Sequence, residues 1–217
     1  MIRFISPCED PFWSKAHSVA GVQRRILSAL WLALLALSSA GNVRAQEAVL
    51  ELDPAQTQIG FTLGDVFHTV HGVFKLKLGT INFNTATGQA SGLVVVDATS
   101  GDSGSHARDH KMQKDVLQSD QYPEITFAPQ QVRGQVLPAG DFKVQVLGTF
   151  TMHGESRPLT LIVQATAAGE QLTANVNFSL PYVNWGLKNP STLFLRVNSA
   201  VDIAIQAVGH IRLVAGH

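Results

Sequence analysis

Residues Leu195 to Leu213 read LRVNSAVDIAIQAVGHIRL, and the alternation of side chains in this run decides the fold class. Odd positions carry Leu195, Val197, Val201, Ile203, Ile205, Ala207, Ile211 and Leu213. Even positions carry Arg196, Asn198, Asp202, Gln206, His210 and Arg212. A side-chain period of two marks a β-strand with one dry face and one wet face. The run predicts a strand much longer than the usual one of about 5–6 residues. Long amphipathic strands belong to antiparallel sheets that curl, and a curled sheet encloses a volume.

The same alternation recurs through most of the chain. Ile59, Phe61 and Leu63 alternate with Gln58, Gly60 and Thr62, and Phe74, Leu76 and Leu78 alternate with Lys75 and Lys77. Ile81 and Phe83 then continue on odd numbers, so a bulge is predicted at Gly79. Asn84 to Gly88 is a hairpin turn, and Ala90 to Ala98 returns. Ile125 and Phe127 follow Pro123. Phe142, Val144, Val146, Gly148, Phe150 and Met152 share a face, answered by Leu159, Leu161, Val163 and Ala165 after a turn over His153 to Pro158. Ala174, Val176, Phe178 and Leu180 form another such face. Short strands at hairpin spacing favour an all-β barrel or sandwich. Ser105 to Ser119 breaks the pattern: helix formers with Met112, Val116 and Leu117 predict one short helix, with Ser105 as its cap and Pro123 beyond its end.

The first 45 residues read as an export leader. Arg24 and Arg25 precede the apolar run Ile26 to Leu37, and Val43-Arg44-Ala45 offers small residues where a signal peptidase cuts, ahead of Gln46. The run is shorter than the roughly 20 residues that span a bilayer, so cleavage is favoured over a retained anchor. The expectation is a leader over 1–45 and a single domain over 46–217, periplasmic or secreted. Cys8, the only cysteine, falls in the leader. The remaining 172 residues therefore lack disulfides, thiolate catalysis and thiolate metal sites. Removing five basic and two acidic leader residues from sixteen of each leaves a net charge of −3, with no electrostatic footprint for nucleic acid.

Several motifs occur in order along the chain: Arg108-Asp109-His110, Asp120-Gln121-Tyr122-Pro123-Glu124-Ile125-Thr126-Phe127, and Gly148-Thr149-Phe150-Thr151-Met152-His153-Gly154 leading to Arg157-Pro158-Leu159. With Leu52-Asp53-Pro54-Ala55 and His71-Gly72-Val73-Phe74, they resemble the YceI-like family of polyisoprenoid-binding, lipocalin-like proteins from about Leu52 onward. The resemblance implies an extended eight-stranded antiparallel barrel, exported to the periplasm, holding an isoprenoid lipid or quinone. Pro181 to Ser191, with Trp185 and Asn189-Pro190, and the Gly- and Ser-rich Ser100 to Ser105 depart from the commoner form.

A prenyl tail needs a dry lumen rather than reactive groups, since each buried methylene contributes on the order of 0.8 kcal/mol. Candidate lumen residues are Phe61, Phe74, Phe127, Phe150, Leu161, Phe178, Val201 and Ile203. Small residues on the same faces, Gly148, Ala165, Ala174, Ser199, Ala207 and Gly209, could leave a channel unfilled. Pattern alone leaves open whether these faces line a channel or pack a solid core. Arg108, Asp109, His110 and Lys111 are candidate head-group contacts at the barrel mouth, with ordinary surface charge as the alternative. His106 and His110 have i, i+4 spacing, but no Glu follows His106 in the zinc-protease manner, so a solvated helix face is favoured over metal. Arg157 is expected to serve a turn. No nucleophile motif, paired carboxylates or phosphate loop is present.

These readings favour a non-catalytic carrier of an isoprenoid lipid with no cofactor of its own, and leave a homodimer open. One rival is a small barrel isomerase or cyclase acting on a lipid, which needs an inward carboxylate such as Asp97 or Asp202. Another is a filled barrel used as a protein-interaction module.

Overall fold

The computed structural model describes residues 47–64, 68–191 and 196–214. The expected leader and Leu195 lie outside them. Nine strands are present among the described residues: β1 (Glu47–Leu52), β2 (Gln58–Gly64), β3 (Thr69–Asn84), β4 (Ala90–Asp102), β5 (Glu124–Arg133), β6 (Gly140–Met152), β7 (Glu155–Ala168), β8 (Gln171–Leu180) and β9 (Val201–Val214). All their pairings are antiparallel. The order β1-β3-β2-β9-β8-β7-β6-β5-β4, with β3–β4 and β1–β9 pairings, closes the sheet on itself.

Nine strands make eight staves because β1 and β2 share one. β2 pairs with the first half of β3 (Ile59 opposite Phe74) and of β9 (Phe61 opposite Ile203). β1 continues the same line against the second halves, with Leu50 opposite both Ile81 and Ile211. The stave breaks at Asp53-Pro54, where proline supplies no ladder donor. The Asp53 carboxylate accepts the Ala55 amide at 2.8 Å, and the Asp53 carbonyl accepts Thr57 N–H at 3.0 Å, which closes a short turn. The fold is thus the expected eight-stranded antiparallel barrel, with its first stave in two pieces.

Bulges bend the ribbon into a tube. The parity slip in β3 falls at Lys77 rather than Gly79: Leu76 faces Val96, but Leu78 faces Val95. Leu76 is 5% exposed, whereas Leu78 is turned outward and 44% exposed. β4 shifts against β3 between Asp97 and Asp102, where the Ser100 hydroxyl accepts the Lys75 amide at 2.8 Å. β5 shifts against β6 between Pro129 and Gln131.

The decisive run is shorter than its pattern. β9 begins at Val201, and Ser199-Ala200 form a bend, so Ser199 is exposed and lies on no lumen face. The turn before β7 is also tighter than expected. His153 and Gly154 alone form it, both at positive φ, and Arg157 is a strand residue.

The expected helix is two pieces. α1 (His106–Lys111) runs into a π-helical turn, Met112–Leu117, that ends at Gln118 in the left-handed region. The Ser105 hydroxyl makes no capping bond. Instead the Asp109 carboxylate reaches back to the Ser103 amide at 2.9 Å and to the Ser103 hydroxyl. This lid segment, 106–117, packs Met112, Val116 and Leu117 against a cluster containing Met152, Leu180, Tyr182, Trp185 and Leu187.

Candidate ligand-binding lumen

The inward residues of the staves do not meet. They line two adjoining cavities, one of about 390 Å³ and one of about 190 Å³. Val96, Ile125, Phe150, Phe178 and Ile205 border both, so the barrel is hollow from the lid end toward β1. A filled barrel is therefore not what these residues build.

The aromatic positions chosen from strand parity all reach this space. Phe61, Phe74, Phe150, Phe178, Val201 and Ile203 line the larger cavity. Phe127 and Leu161 join Phe150 and Phe178 in lining the smaller one. Parity alone sent them inward, because a strand with a wet outer face has no other place for its apolar side chains. The Phe61 and Phe74 rings lie 5.3 Å apart, and Phe150 meets Trp185 edge to face at 5.7 Å.

The small residues divide into two kinds. Ala165, Ala174 and Ala207 border the smaller cavity and leave room there. Gly148 and Gly209 do not. A Cβ on Gly148 would lie 2.4 Å from Ala128 O and 2.7 Å from the Phe127 ring, and one on Gly209 would lie 2.6 Å from Glu51 O. Both are points where a neighbouring strand or ring comes close. Gly72 acts likewise: a Cβ there would meet the Phe61 ring at 2.3 Å. These notches seat phenylalanines and strands rather than ligand.

Polar groups gather at the lid. Of the ionisable side chains among the described residues, only Arg108, Lys111 and Tyr182 line either cavity. Arg108 is held in place by Ser103, its Nε donating to Oγ at 2.8 Å and a terminal nitrogen to the carbonyl at 2.7 Å. The Ser103 hydroxyl holds the Asp109 carboxyl below the usual carboxylate range, which keeps an anion beside Arg108. The Tyr182 hydroxyl donates to Asn198 O at 2.7 Å, and burial pushes it above the usual phenol value. That bond ties the 182–185 helical turn to the segment that precedes β9.

Of the head-group candidates read from the sequence, Arg108 and Lys111 reach the lumen, but Asp109 and the exposed His110 line neither cavity. Lys111 turns inward where His110 does not, since the lid face that meets the lumen is Arg108, Lys111, Met112, Val116 and Leu117. Asp97 accepts bonds from Thr99 N–H and hydroxyl on the outside of β4, and Asp202 is exposed opposite Ser179. Neither borders a cavity. Among the described residues, no three His, Cys, Asp or Glu side chains converge as a metal cluster. Arg157 lies with its guanidinium 5.7 Å from the Trp185 ring, a cation–π contact outside the lumen. Sequence reasoning missed Tyr182, Leu187 and Pro190, which line the larger cavity from the 182–190 segment that follows β8. Their signal was the density of apolar and aromatic residues in a stretch with no strand period.

A hollow, up-and-down antiparallel barrel roofed by a short helix defines the class. The chain belongs to the YceI-like family: the YceI-like domain model matches residues 50–209. It is 32% identical over 150 residues to a UPF0312 protein of Pseudomonas savastanoi pv. phaseolicola, covering 68% of this chain and 74% of that one. A UPF0312 protein of Pseudomonas putida is 26% identical over 182 residues, 80% of this chain and 92% of the relative. Among solved structures, Burkholderia cenocepacia BcnA superposes with a TM-score of 0.59 at 18% identity, covering 72% of this chain and 98% of its own. A polyisoprenoid binding domain from Saccharophagus degradans, implicated in plant cell wall breakdown, gives 0.55 at 13% identity over 75% and 98%. At these identities the structures speak for the fold.

Proposed function

We propose that this protein binds and carries an isoprenoid lipid, a prenyl chain or an isoprenoid quinone, with the tail in the barrel and the polar end under the lid. The observation that carries the reading is the pair of adjoining apolar cavities whose only ionisable lining, among the described residues, sits at one end. Such a space suits a long hydrocarbon with a single polar terminus. Each methylene taken from water contributes about 0.8 kcal/mol, so affinity grows with tail length without a reactive group. The polyisoprenoid binding domain of similar fold lends weight to the isoprenoid. Arg108 and Lys111 are the proposed head-group contacts, Lys111 in place of His110. Among the described residues no carboxylate or imidazole lines the lumen, which favours binding over acid–base catalysis on a lipid. The reading includes export, on the strength of Arg24-Arg25, the apolar run Ile26 to Leu37 and Val43-Arg44-Ala45. Terminal sequencing of the cellular protein should begin at Gln46.

Mass spectrometry of an organic extract of the protein purified from its native compartment tests the carrier reading. A co-purifying prenyl lipid is expected; a folded protein that arrives empty and takes up no added quinone contradicts it. Phe150→Asp, at the junction of the two cavities, is expected to abolish uptake. Arg157→Ala, on the outside, is expected to change it less than about twofold, since exposed cation–π contacts are weak. Equal losses from both would sink a hydrophobic-lumen mechanism.

A further inference from the structure

Among the described residues, two non-glycine residues occupy the left-handed backbone region, Gln118 at φ 48° and His153 at φ 53°. They touch each other. His153 Nε2 lies 3.0 Å from Gln118 Oε1, across 35 positions of sequence. Residues with a Cβ adopt this region reluctantly and hold it where surrounding contacts compel it, commonly at clamps and switches. Gln118 is also where the lid segment stops. Its amide closes the π-helical turn on Gln113 O, and its carbonyl accepts the amides of Gln121 and Tyr122, each at 2.9 Å. π-Helical turns are rare and concentrate at functional sites. From the opposite side, His153 sits at the tip of the β6–β7 hairpin, its ring 4.4 Å from that of Tyr122. Gly154 makes room for Tyr122, since a Cβ there would lie 2.8 Å from the Tyr122 ring.

We propose that Gln118, Tyr122 and His153 form a latch that holds the lid segment closed over the larger cavity and sets the rate at which ligand enters and leaves. The lid lines the cavity through Met112, Val116 and Leu117, immediately before Gln118, so withdrawing it would unroof that end. None of the three latch residues lines either cavity. They therefore bear on the opening step and not on contact with a bound tail. Loss of the latch should raise entry and exit rates by the same factor and leave the equilibrium constant unchanged. The hairpin tip is the fixed partner, because β6 and β7 pair along their whole length from Gly140–Ala167 to Met152–Glu155. The link from lid opening to ligand exchange rests on the lumen reading; the latch itself does not.

His153→Asn and Gln118→Asn test it. Asparagine tolerates the left-handed region, so each variant shortens the side chain without new backbone strain. Hydrogen–deuterium exchange of the purified protein, without added ligand, reads the latch alone. Amides of 112–122 are expected to exchange about fivefold faster in either variant, the value of one net hydrogen bond, with β6 and β7 unchanged. The double variant should exchange no faster than His153→Asn, which already removes both the bond to Gln118 and the ring contact with Tyr122. In parallel, stopped-flow uptake and release of the fluorescent hydrocarbon diphenylhexatriene reads the lumen. Both rates are expected to rise about fivefold with the dissociation constant within twofold of the parent. Lid amides that exchange as in the parent, in variants that melt as the parent does, overturn the latch. Faster lid amides with unaltered probe rates overturn its control of exchange. A parent that takes up no probe, while its lid amides respond as expected, tells against the lumen reading and spares the latch.

Discussion

Asp109 shows how a single side chain sets the polar end of the lumen. It caps Ser103, whose carbonyl and hydroxyl in turn aim Arg108. The Ser103 hydroxyl bond is the largest influence on its carboxyl and, with the Ser103 amide and Arg108, outweighs burial, so the folded value lies below the ordinary one. A depressed carboxylate contributes stability at pH above its unfolded value of about 3.9, and that contribution is lost as pH falls through the folded value. The melting temperature of Asp109→Asn should therefore lie below that of the parent at about pH 6 and converge on it toward about pH 3. A gap that stays constant over that range in thermal melts would remove the carboxylate from this role. At this scale the phenylalanines were readable from parity, because a strand offers its side chains two directions. His110 against Lys111 was not. A short polar helix has no apolar stripe strong enough to fix its rotation, and here its docking on the barrel decides which cation turns inward.

At the scale of elements, the β3 bulge separates what the pattern shows from where the chain bends. The parity change between Leu76 and Ile81 was visible in the sequence, and glycine drew the expected bend to position 79. The ladder places it at Lys77, whose long side chain stays in water and pairs with Glu124 at 2.5 Å. Gly79 instead lies where a Cβ would come within 2.7 Å of Leu52, so its smallness serves the approach of β1. Leu76→Ala should cost about 2–5 kcal/mol in a denaturant melt. Leu78→Ala should cost about 0.5 kcal/mol or less, since it is a surface change. A reversed order would return the bulge to Gly79. The start of β9 shows the converse error. Val197 keeps the odd parity and lines the larger cavity, but it does so from the segment ahead of β9 and not from the strand itself. Alternation reports that a side chain is buried, and a loop can bury one as well as a strand can.

The described barrel is a ribbon of staves wound around apolar cavities, and an interior of this kind forgoes packing that a solid core would have. A ligand should restore it. Ligand at about a hundred times its dissociation constant adds about 2.7 kcal/mol, so extraction of bound lipid should lower the melting temperature by about 5–10 °C, reversed on re-addition. Calorimetry of extracted and reloaded protein checks this, and equal midpoints would contradict an occupied lumen. The barrel class was legible because it depends only on how many amphipathic strands follow one another at hairpin spacing. The lid's docking was not, although its pieces were in view. Tyr122 and His153 belong to separate motifs of the sequence, and only the closed barrel sets one ring against the other.

The two-piece first stave has a consequence for how the chain folds. From β3 to β9 every ladder joins neighbours in sequence, so each hairpin can zip as soon as its second strand exists. The seam is different: β1 and β2 both wait for β9, and Thr57 and Val208, bonded across it, stand 151 residues apart. A chain made from its N-terminus first therefore carries an open edge throughout synthesis, and the tube closes last, in one step, at its oldest strands.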